Sequence, residues 1–410
     1  EEGVRARKPR LNRCLLTRRW LYRGKRRHTR LSPVVNLYGE SLANQKRRQL
    51  NMNIVRVRSL GRRLAFLLIA SLLLCEAAHA VAATAQPLKA DVIYYWGERR
   101  VEDWPTPKAK KPYTIGISVP HLKSPYWVNQ CYGMLDEAGK LGVKAIVVAA
   151  KGYDDLATQI SQVENLITQR VDAIVLGPIS FEGNVASAEE AVARGIPVID
   201  VAQSIRSRKG SGISLVDDYQ LGVNNAQWVI QDSGGKANVV VFSGPSGASW
   251  SMANSSGVRN TFADYPGIKI LAERFCDVDV ATSQKIMENL LQTFKDIDYV
   301  ITVDATGIGI ANAIEAARKT GKIKHVNAYC LEESLAYISR GSITASQAVH
   351  SVTMGRMAFD IAIRVLNGDP DTPLIAHPIP IWITKANVNS FDRSTQFAPP
   401  GWTVPVVTGK

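Results

Sequence analysis

Short apolar runs alternate with amphipathic segments between residues 113 and 367. The runs "YTIGISV" (113–119) and "KAIVVAA" (144–150) are rich in β-branched residues, and "DLATQISQVENLITQR" (155–170) has apolar residues at helical spacing. Continuous apolar strands separated by helices of this length are typical of a parallel sheet that is covered on both faces. The pattern therefore predicts an α/β fold.

The alternation is interrupted once, by the polar stretch "QSIRSRKGSG" (203–212), and then restarts. This predicts two doubly wound parallel-sheet lobes that share a ligand cleft, with the first crossing near 203–216. We assign residues 113–216 and 350–375 to the N-terminal lobe and residues 217–349 to the C-terminal lobe. Residues 81–112 form a lead and residues 376–410 a tail. Ligands of open parallel sheets bind beyond the carboxyl ends of the strands, so the loops that follow the strands carry the candidate site.

The net charge of +14 over 410 residues is concentrated at the front of the chain. Residues 1–80 contain 19 Lys and Arg against 4 Asp and Glu, whereas residues 81–410 contain 31 basic and 32 acidic side chains. A charge close to zero over the folded part gives no electrostatic reason to expect a nucleic-acid partner.

The basic front includes a pattern typical of export. Arg62 and Arg63 precede the apolar run "LAFLLIASLLLC" (64–75), and "AHA" (78–80) supplies small residues before a cut after Ala80. This predicts a cleavable signal peptide over residues 52–80 and a periplasmic mature protein; the alternative is a membrane anchor. Residues 1–51 precede Met52, and we expect them to be non-native upstream translation or a disordered basic extension.

Catalytic, metal-binding and disulfide patterns are weak. Cys131, Cys276 and Cys330 remain after the expected cut, which allows one bridge or three free thiols but no disulfide scaffold. No Cys and His cluster has zinc spacing, and "GIGIAN" (307–312) is interpreted as a tight strand–helix turn. No nucleophile elbow is present. We therefore expect neither an enzyme nor a bound cofactor or metal.

Aromatic and polar residues follow several of the predicted strands, and we interpret them as facing a ligand in the cleft. The alternative is that some form lobe-interface core, and that Asp304 only caps the next helix. The pair Asp217-Asp218 is interpreted as a crossing turn. Aromatic ring faces attract methylated ammonium groups through cation–π contacts. The predicted ligand-binding residues are Tyr126, Trp127, Tyr153, Gln203, Trp250, Asp304 and Tyr329.

Several segments resemble a known family. The segment "TIGISVPHLKSPYWVNQCYGMLDEAGKLG" is similar to the first strand–helix unit of the type I periplasmic binding proteins, the ribose-binding family. Later landmarks are "ARGIPVIDV", "GPSGASWSMANSSGVRNTF" and "SITASQAVHSVTMGRMAFDIAIRVLNG", so the resemblance covers residues 113–368. It implies two lobes that close by hinge motion on a small-molecule ligand.

Within that family the chain departs from the sugar binders. Tyr126-Trp127 stands where a Phe pair is usual, Ala202-Gln203 replaces charged sugar-binding residues, and "NAYCLEE" replaces a strand that ends in Gly-Asp. These departures resemble receptors of trimethylamine N-oxide, which report to the periplasmic domain of a membrane sensor histidine kinase. The resemblance implies that three methyl groups pack on the rings and that tyrosine hydroxyls or a tryptophan N–H bind the oxygen. The kinase would be the only link to a membrane. The alternatives are a sugar-binding component of an ABC importer and an exported hydrolase.

Overall fold

The computed structural model describes residues 89–405, apart from residues 96, 208 and 247. The predicted signal peptide, the basic extension before it and the first part of the lead lie outside the described residues. Within the described range, no helix is both long enough and apolar enough to cross a membrane. Residues 86–410 form one compact unit, which contains both lobes.

The N-terminal lobe is built on an eight-stranded sheet with the strand order β2-β1-β13-β7-β6-β5-β3-β4. Neighbouring strands from β13 to β4 pair in parallel, while β1 pairs antiparallel with both β2 and β13. The strands are β1 (Lys89–Ile93), β2 (Arg99–Asp103), β3 (Thr114–Val119), β4 (Lys144–Ala149), β5 (Ala173–Leu176), β6 (Val198–Ala202), β7 (Gly212–Leu215) and β13 (Ile375–Pro378).

The C-terminal lobe is built on a six-stranded sheet with the order β14-β12-β11-β10-β8-β9, in which the last strand of the chain is antiparallel to β12. Its other neighbours are parallel. The strands are β8 (Ala237–Ser243), β9 (Ile268–Phe275), β10 (Tyr299–Val303), β11 (Lys324–Ala328), β12 (Ala345–Ala348) and β14 (Ile381–Thr384).

Helices separate most consecutive strands and cover the sheets, which confirms the predicted α/β class and its two parallel-dominant sheets. Within the described residues they are α1 (Pro125–Leu141), α2 (Leu156–Thr168), α3 (Val185–Ala193), α4 (Asp218–Ser233), α5 (Ser249–Ala263), α6 (Val280–Thr293), α7 (Thr306–Ala316), α8 (Ser334–Arg340) and α9 (Ser351–Asn367). A 3-10 turn, Arg393–Thr395, follows them.

The start of α1 explains the stretch "SPYW". Ser124 is the N-cap, and its hydroxyl accepts a hydrogen bond from the Tyr126 N–H at 3.2 Å. Pro125 fits the first helical position because its missing N–H would be unpaired there anyway. The helix ends at Gly142, which adopts the left-handed conformation. Two aromatic side chains are thus held on the first turn of a rigid helix.

Helices α1 and α9 cross at glycine. A Cβ added to Gly133 would lie 1.9 Å from the Val352 carbonyl oxygen, and one added to Gly355 would lie 2.2 Å from the Gln130 carbonyl oxygen. The two backbones therefore touch, which only glycine permits. This close crossing places the buried α9 directly behind the helix that carries Tyr126 and Trp127.

Three features differ from the sequence prediction. The stretch 203–216 is not simply a crossing, because its end forms β7 within the N-terminal sheet. The lead contributes β1 and β2 to that sheet, and the tail contributes one strand to each lobe. These strands are short or paired antiparallel at the periphery, so they lack the long apolar runs that mark the central strands.

The chain passes between the lobes at three connections that follow β7, β12 and β13. It then returns a fourth time near its end. Phe397 belongs to a core cluster of the C-terminal lobe, whereas the next residue, Ala398, donates its N–H to the Asn129 side chain of α1 at 2.9 Å. Trp402 then packs edge-on against Tyr132 of α1 at 5.1 Å.

Among the described residues the cysteines are Cys131, Cys276 and Cys330, and all three are free thiols. Cys131 and Cys330 are buried and Cys276 is half-buried. Of the two possibilities that the sequence left open, the structure therefore has no bridge. Burial raises the pKa of both the Cys131 and the Cys330 thiols to about 12, so neither is a thiolate at neutral pH.

Candidate functional site

Most of the predicted site residues converge where the carboxyl ends of the two sheets face each other. The Tyr126 ring of the N-terminal lobe lies 6.1 Å from the Tyr329 ring of the C-terminal lobe, edge to face. On its other side, Tyr329 meets the Trp250 ring at 6.0 Å, again edge to face. Both separations are in the range that aromatic pairs favour. Three rings from two lobes therefore form one aromatic wall.

Trp127 lies deeper than the sequence interpretation placed it. Only 1% of its surface is exposed, and it belongs to the core cluster of the N-terminal lobe. Its six-membered ring packs on the backbone of Gly177, where an added Cβ would come within 2.5 Å of the ring. Trp127 is therefore not open to solvent. It supports the site from behind, in T-shaped contact with Tyr126 at 5.6 Å.

Tyr153 lies in the loop after β4 and is 45% exposed. Its hydroxyl oxygen accepts a hydrogen bond from Trp127 Nε1–H at 3.1 Å and a longer one from Gln203 Nε2–H at 3.5 Å. Although its ring is open on one side, the hydroxyl faces the buried indole, and burial raises the Tyr153 pKa to about 12. A phenol that accepts two hydrogen bonds still has its own O–H proton to donate.

Asp304 directly follows β10, and the structure excludes its interpretation as a helix cap. The N-cap of α7 is Ala305, which makes no side-chain cap hydrogen bond. Burial raises the pKa of the Asp304 carboxyl to about 6, against a smaller lowering by the Ala305 N–H. The side chain is thus a partly protonated carboxyl near neutral pH.

Backbone strain marks the same strand ends. Ala202, Asp304 and Tyr329 each follow or end a strand and adopt φ values of 65°, 50° and 60°. Residues other than glycine rarely occupy this left-handed region, and each instance costs about 1–3 kcal/mol. Such strain concentrates at binding sites, and here it occurs at the ends of β6, β10 and β11.

Asp218 is a site residue that the sequence analysis missed. Asp217-Asp218 does lie at the crossing between the lobes, as interpreted from the sequence, but it begins a helix. Asp217 caps α4, accepting a hydrogen bond from the Gln220 N–H at 2.9 Å. Asp218, one residue later, instead accepts a hydrogen bond from the Tyr329 hydroxyl. Burial raises its pKa to about 7. The signal that could have identified it is its place at a helix start, directly after a lobe crossing.

Two further groups border the cleft. The His121 ring stacks edge-on against Tyr153 at 5.2 Å, and burial lowers its pKa, so it is neutral. The Tyr126 hydroxyl lies 3.8 Å from the Met354 sulfur of α9, which is a weak acceptor. Tyr126 therefore has a second phenolic O–H that is free to pair with a stronger acceptor.

A separate cavity of about 570 Å³ lies between α4 and α5 and contains none of the predicted residues. Tyr219, Asn260 and Tyr265 line it, together with other mostly polar side chains. No group of His, Cys, Asp and Glu within residues 89–405 could hold a metal ion. The side chains that converge between the lobes are aromatic rings, phenols and carboxyls.

Comparisons with known proteins agree with this architecture. Residues 115–370 match the family described as "Periplasmic binding protein domain". The chain is 31% identical over 278 residues to the ribose import binding protein RbsB of Bacillus subtilis, covering 67% of this chain and 89% of that protein. It is 27% identical over 301 residues to the periplasmic protein TorT of Escherichia coli, covering 72% and 84%.

A solved structure with a similar fold is an ABC transporter solute-binding protein from Bradyrhizobium sp. BTAi1, determined with bound Bis-Tris. It aligns with a TM-score of 0.72 at 29% identity and covers 78% of this chain and 98% of that one. The relatives are binding proteins, and they include sugar binders as close to this chain as TorT is. The chain belongs to the type I, ribose-binding-like family of periplasmic binding proteins and is a solute-binding protein of that family.

Proposed function

We propose that this protein is a periplasmic receptor for trimethylamine N-oxide or a closely related methylated amine. The observation that supports it most is the aromatic wall of Tyr126, Trp250 and Tyr329, which contains side chains from both lobes. Ring faces attract methyl groups carried on a positive nitrogen, with about 0.5–2 kcal/mol for each contact. Because the two lobes share this wall, a ligand contacts both lobes at once in the closed state and stabilises that state.

The N-oxide oxygen needs hydrogen-bond donors, and the N-terminal lobe supplies them. Tyr153 receives hydrogen bonds from Trp127 and Gln203 and so presents its own proton to a ligand. Tyr126 has a second hydroxyl, whose proton contacts the Met354 sulfur, a weak acceptor, at 3.8 Å. The indole N–H is already donated to Tyr153, so the phenol rather than the indole binds the oxygen. The Bis-Tris in the related structure is itself a tertiary amine.

We propose further that the protein is exported by the signal peptide at residues 52–80 and presents its ligand state to the periplasmic domain of a TorS-like sensor histidine kinase. The 27% identity to TorT supports this role. Hinge closure changes the outer surface that a kinase can contact. The cleft and that surface are separate, so kinase association should persist in Tyr153→Ala, and its loss in a folded variant would argue against the role.

A second candidate is a sugar-binding component of an ABC importer, which the similarity to RbsB favours. Isothermal titration calorimetry separates the two. We expect heat of binding with millimolar trimethylamine N-oxide and none with ribose, allose or xylitol. Binding of any of these polyols, with no response to the N-oxide, would overturn the proposal and leave the importer component. Recovery of chemically unchanged ligand after incubation checks that no turnover occurs.

A further inference from the structure

The C-terminal lobe contributes two carboxyl groups to the cleft, and neither has a basic partner among the residues that the structure describes. Asp218 accepts a hydrogen bond from the Tyr329 hydroxyl, and Asp304 contacts the Ala305 N–H. The salt bridges of this lobe involve other acids, such as Glu273. At a pH where both are ionised, two carboxyls without a basic partner give the aromatic wall beside them a negative potential.

The electrostatic environment of the tyrosines supports this. Of the two carboxyls that act on the Tyr126 and Tyr329 hydroxyls, Asp218 has the larger effect and Asp304 the smaller. The same two carboxyls also act on Tyr153. Burial is the largest cause that raises each of the three phenol pKa values, and these acids add to it; at Tyr153 the hydrogen bonds from Trp127 and Gln203 act in the opposite direction.

The N-terminal lobe's side of the cleft has the complementary polarity. The Tyr153 hydroxyl accepts hydrogen bonds and keeps its own proton to donate, the Tyr126 proton has only a weak sulfur acceptor, and His121 beside Tyr153 is neutral. On this side of the cleft the exposed Lys123 acts electrostatically on His121. The cleft is therefore polarised, with hydrogen-bond donors on the N-terminal lobe and carboxyls on the C-terminal lobe.

We infer that Asp218 is the residue that selects ligands by the positive charge on their nitrogen, and that the cleft accepts methylated ammonium compounds whose acceptor oxygen, where present, faces Tyr153. The inference rests on the proposed function and adds the orientation and charge class of the ligand. A dipolar N-oxide lies across the cleft with its methylated nitrogen toward Asp218 and Asp304. A neutral polyol has no charge to offset the burial of these carboxylates and is rejected.

Asp218 and Asp217 offer a matched pair for the test. Both begin α4, but Asp217 is exposed and caps the helix, whereas Asp218 contacts Tyr329. Asparagine keeps a side-chain oxygen for either hydrogen bond and removes only the charge. Titration calorimetry at pH 8 compares wild type, Asp218→Asn and Asp217→Asn with two probes. Tetramethylammonium chloride carries a positive nitrogen and no oxygen, and trimethylamine N-oxide carries both.

We expect wild type to bind both probes. Asp218→Asn should weaken tetramethylammonium binding by about tenfold or more and N-oxide binding by about threefold to tenfold. The loss is larger for tetramethylammonium because it has no oxygen that Tyr153 could also bind. Asp217→Asn should change neither by more than about twofold. Tyr153→Phe should weaken the N-oxide and leave tetramethylammonium unchanged, which would show that the oxygen faces the N-terminal lobe.

The outcomes separate the two proposals. If wild type binds neither probe, the proposed function fails and the inference fails with it. If wild type binds the N-oxide but Asp218→Asn binds both probes as tightly, the inference fails and the proposed function stands. Equal losses in Asp217→Asn would show a general effect of charge at the helix start. Should Asp218→Asn not fold, Asp304→Asn tests the same wall, and unchanged tetramethylammonium affinity there overturns the inference.

Discussion

The hydrogen bond between Trp127 and Tyr153 links the core of the N-terminal lobe to the ligand-facing surface, and a double-mutant cycle measures it. The variants are Trp127→Phe, Tyr153→Phe and the double substitution. Each keeps an aromatic ring. The two single changes remove the donor and the acceptor of one bond, Trp127 Nε1–H to Tyr153 Oη at 3.1 Å.

The magnitudes follow from burial. Tyr153→Phe removes little packing because the residue is 45% exposed, but it leaves the N–H of a 1% exposed indole without its partner. An unpaired buried donor costs about 1–3 kcal/mol. Trp127→Phe loses the same bond and also the ring that packs on Gly177, for a total of roughly 2–4 kcal/mol. The double variant leaves no unpaired donor, so we expect a coupling energy of about 1 kcal/mol.

The assay is urea unfolding followed by far-ultraviolet circular dichroism, since tryptophan fluorescence changes with the substitution itself. Tyr95→Phe serves as the control. It also removes a phenolic hydroxyl, which donates to the Ser211 carbonyl at 2.8 Å, but it lies outside the cleft. Tyr95→Phe and Trp127→Phe should therefore add within about 0.5 kcal/mol.

A coupling below about 0.3 kcal/mol for Trp127 and Tyr153 would refute the reasoning, because it would show that the indole N–H does not depend on the phenol. The same variants give a binding readout. Tyr153→Phe should weaken trimethylamine N-oxide by about tenfold, as expected for one charge-assisted hydrogen bond. If Tyr153→Phe binds trimethylamine N-oxide as tightly as wild type while the coupling energy with Trp127 is about 1 kcal/mol, the role of Tyr153 is structural only.

Three further predictions use other parts of the molecule. Affinity for trimethylamine N-oxide should fall as the pH drops from 8 to 5, because Asp218, with a pKa of about 7, loses its charge over this range; titration that shows constant affinity contradicts this. Asp200→Asn should stabilise the fold by about 1–3 kcal/mol at pH 8 and by little at pH 4 in urea unfolding. Burial raises the pKa of this carboxyl from 3.8 to about 7, so the folded state is penalised above that range and not below it. Gly355→Ala should lower the thermal unfolding temperature sharply, since its Cβ would lie 2.2 Å from the α1 backbone, whereas Gly139→Ala in the open face of α1 should raise it slightly.

The central strands and helices could be predicted from the sequence because their periodicity comes from burial on both faces of a parallel sheet. Thus "TIGISV" and "YVITV" are strands with nearly every residue buried. The peripheral strands could not be predicted from the sequence in this way. "RRVED" (β2) is largely exposed and charged, and it is a strand only because β1 pairs with it. β13 and β14 are four residues each and pair with strands that are distant in the sequence or in the other half of the chain, which leaves no local pattern, and α8, at seven residues, is too short to show a period.

The candidate site could likewise be predicted only in part. That rings gather at strand ends followed from topology alone, and Tyr126, Trp250 and Tyr329 do meet. The depth of each ring did not follow. Trp127 and Tyr126 are adjacent on one helical turn and so point in different directions, one into the core beside Gly177 and one toward the other lobe. A helix start places two neighbours about 100° apart, and the sequence does not state which of them faces inward.

Asp304 and Tyr329 adopt the left-handed conformation at strand ends, where glycine would fit without strain, yet they carry a carboxyl and an aromatic side chain. At Asp304 and Tyr329 the backbone has φ near 50° and 60°, values at which glycine would be free of strain. Glycine would relieve about 1–2 kcal/mol at each position but would remove the side chain that faces the cleft. A strained backbone that carries a chemically useful side chain is retained when the side chain contributes more to function than the strain costs in stability. The strain therefore supports the assignment of Asp304 and Tyr329 to the ligand site independently of their burial. It predicts that Asp304→Gly stabilises the free protein while weakening its ligand complex, whereas Tyr329→Gly also loses the packing and the hydrogen bond of a buried ring and should destabilise the free protein.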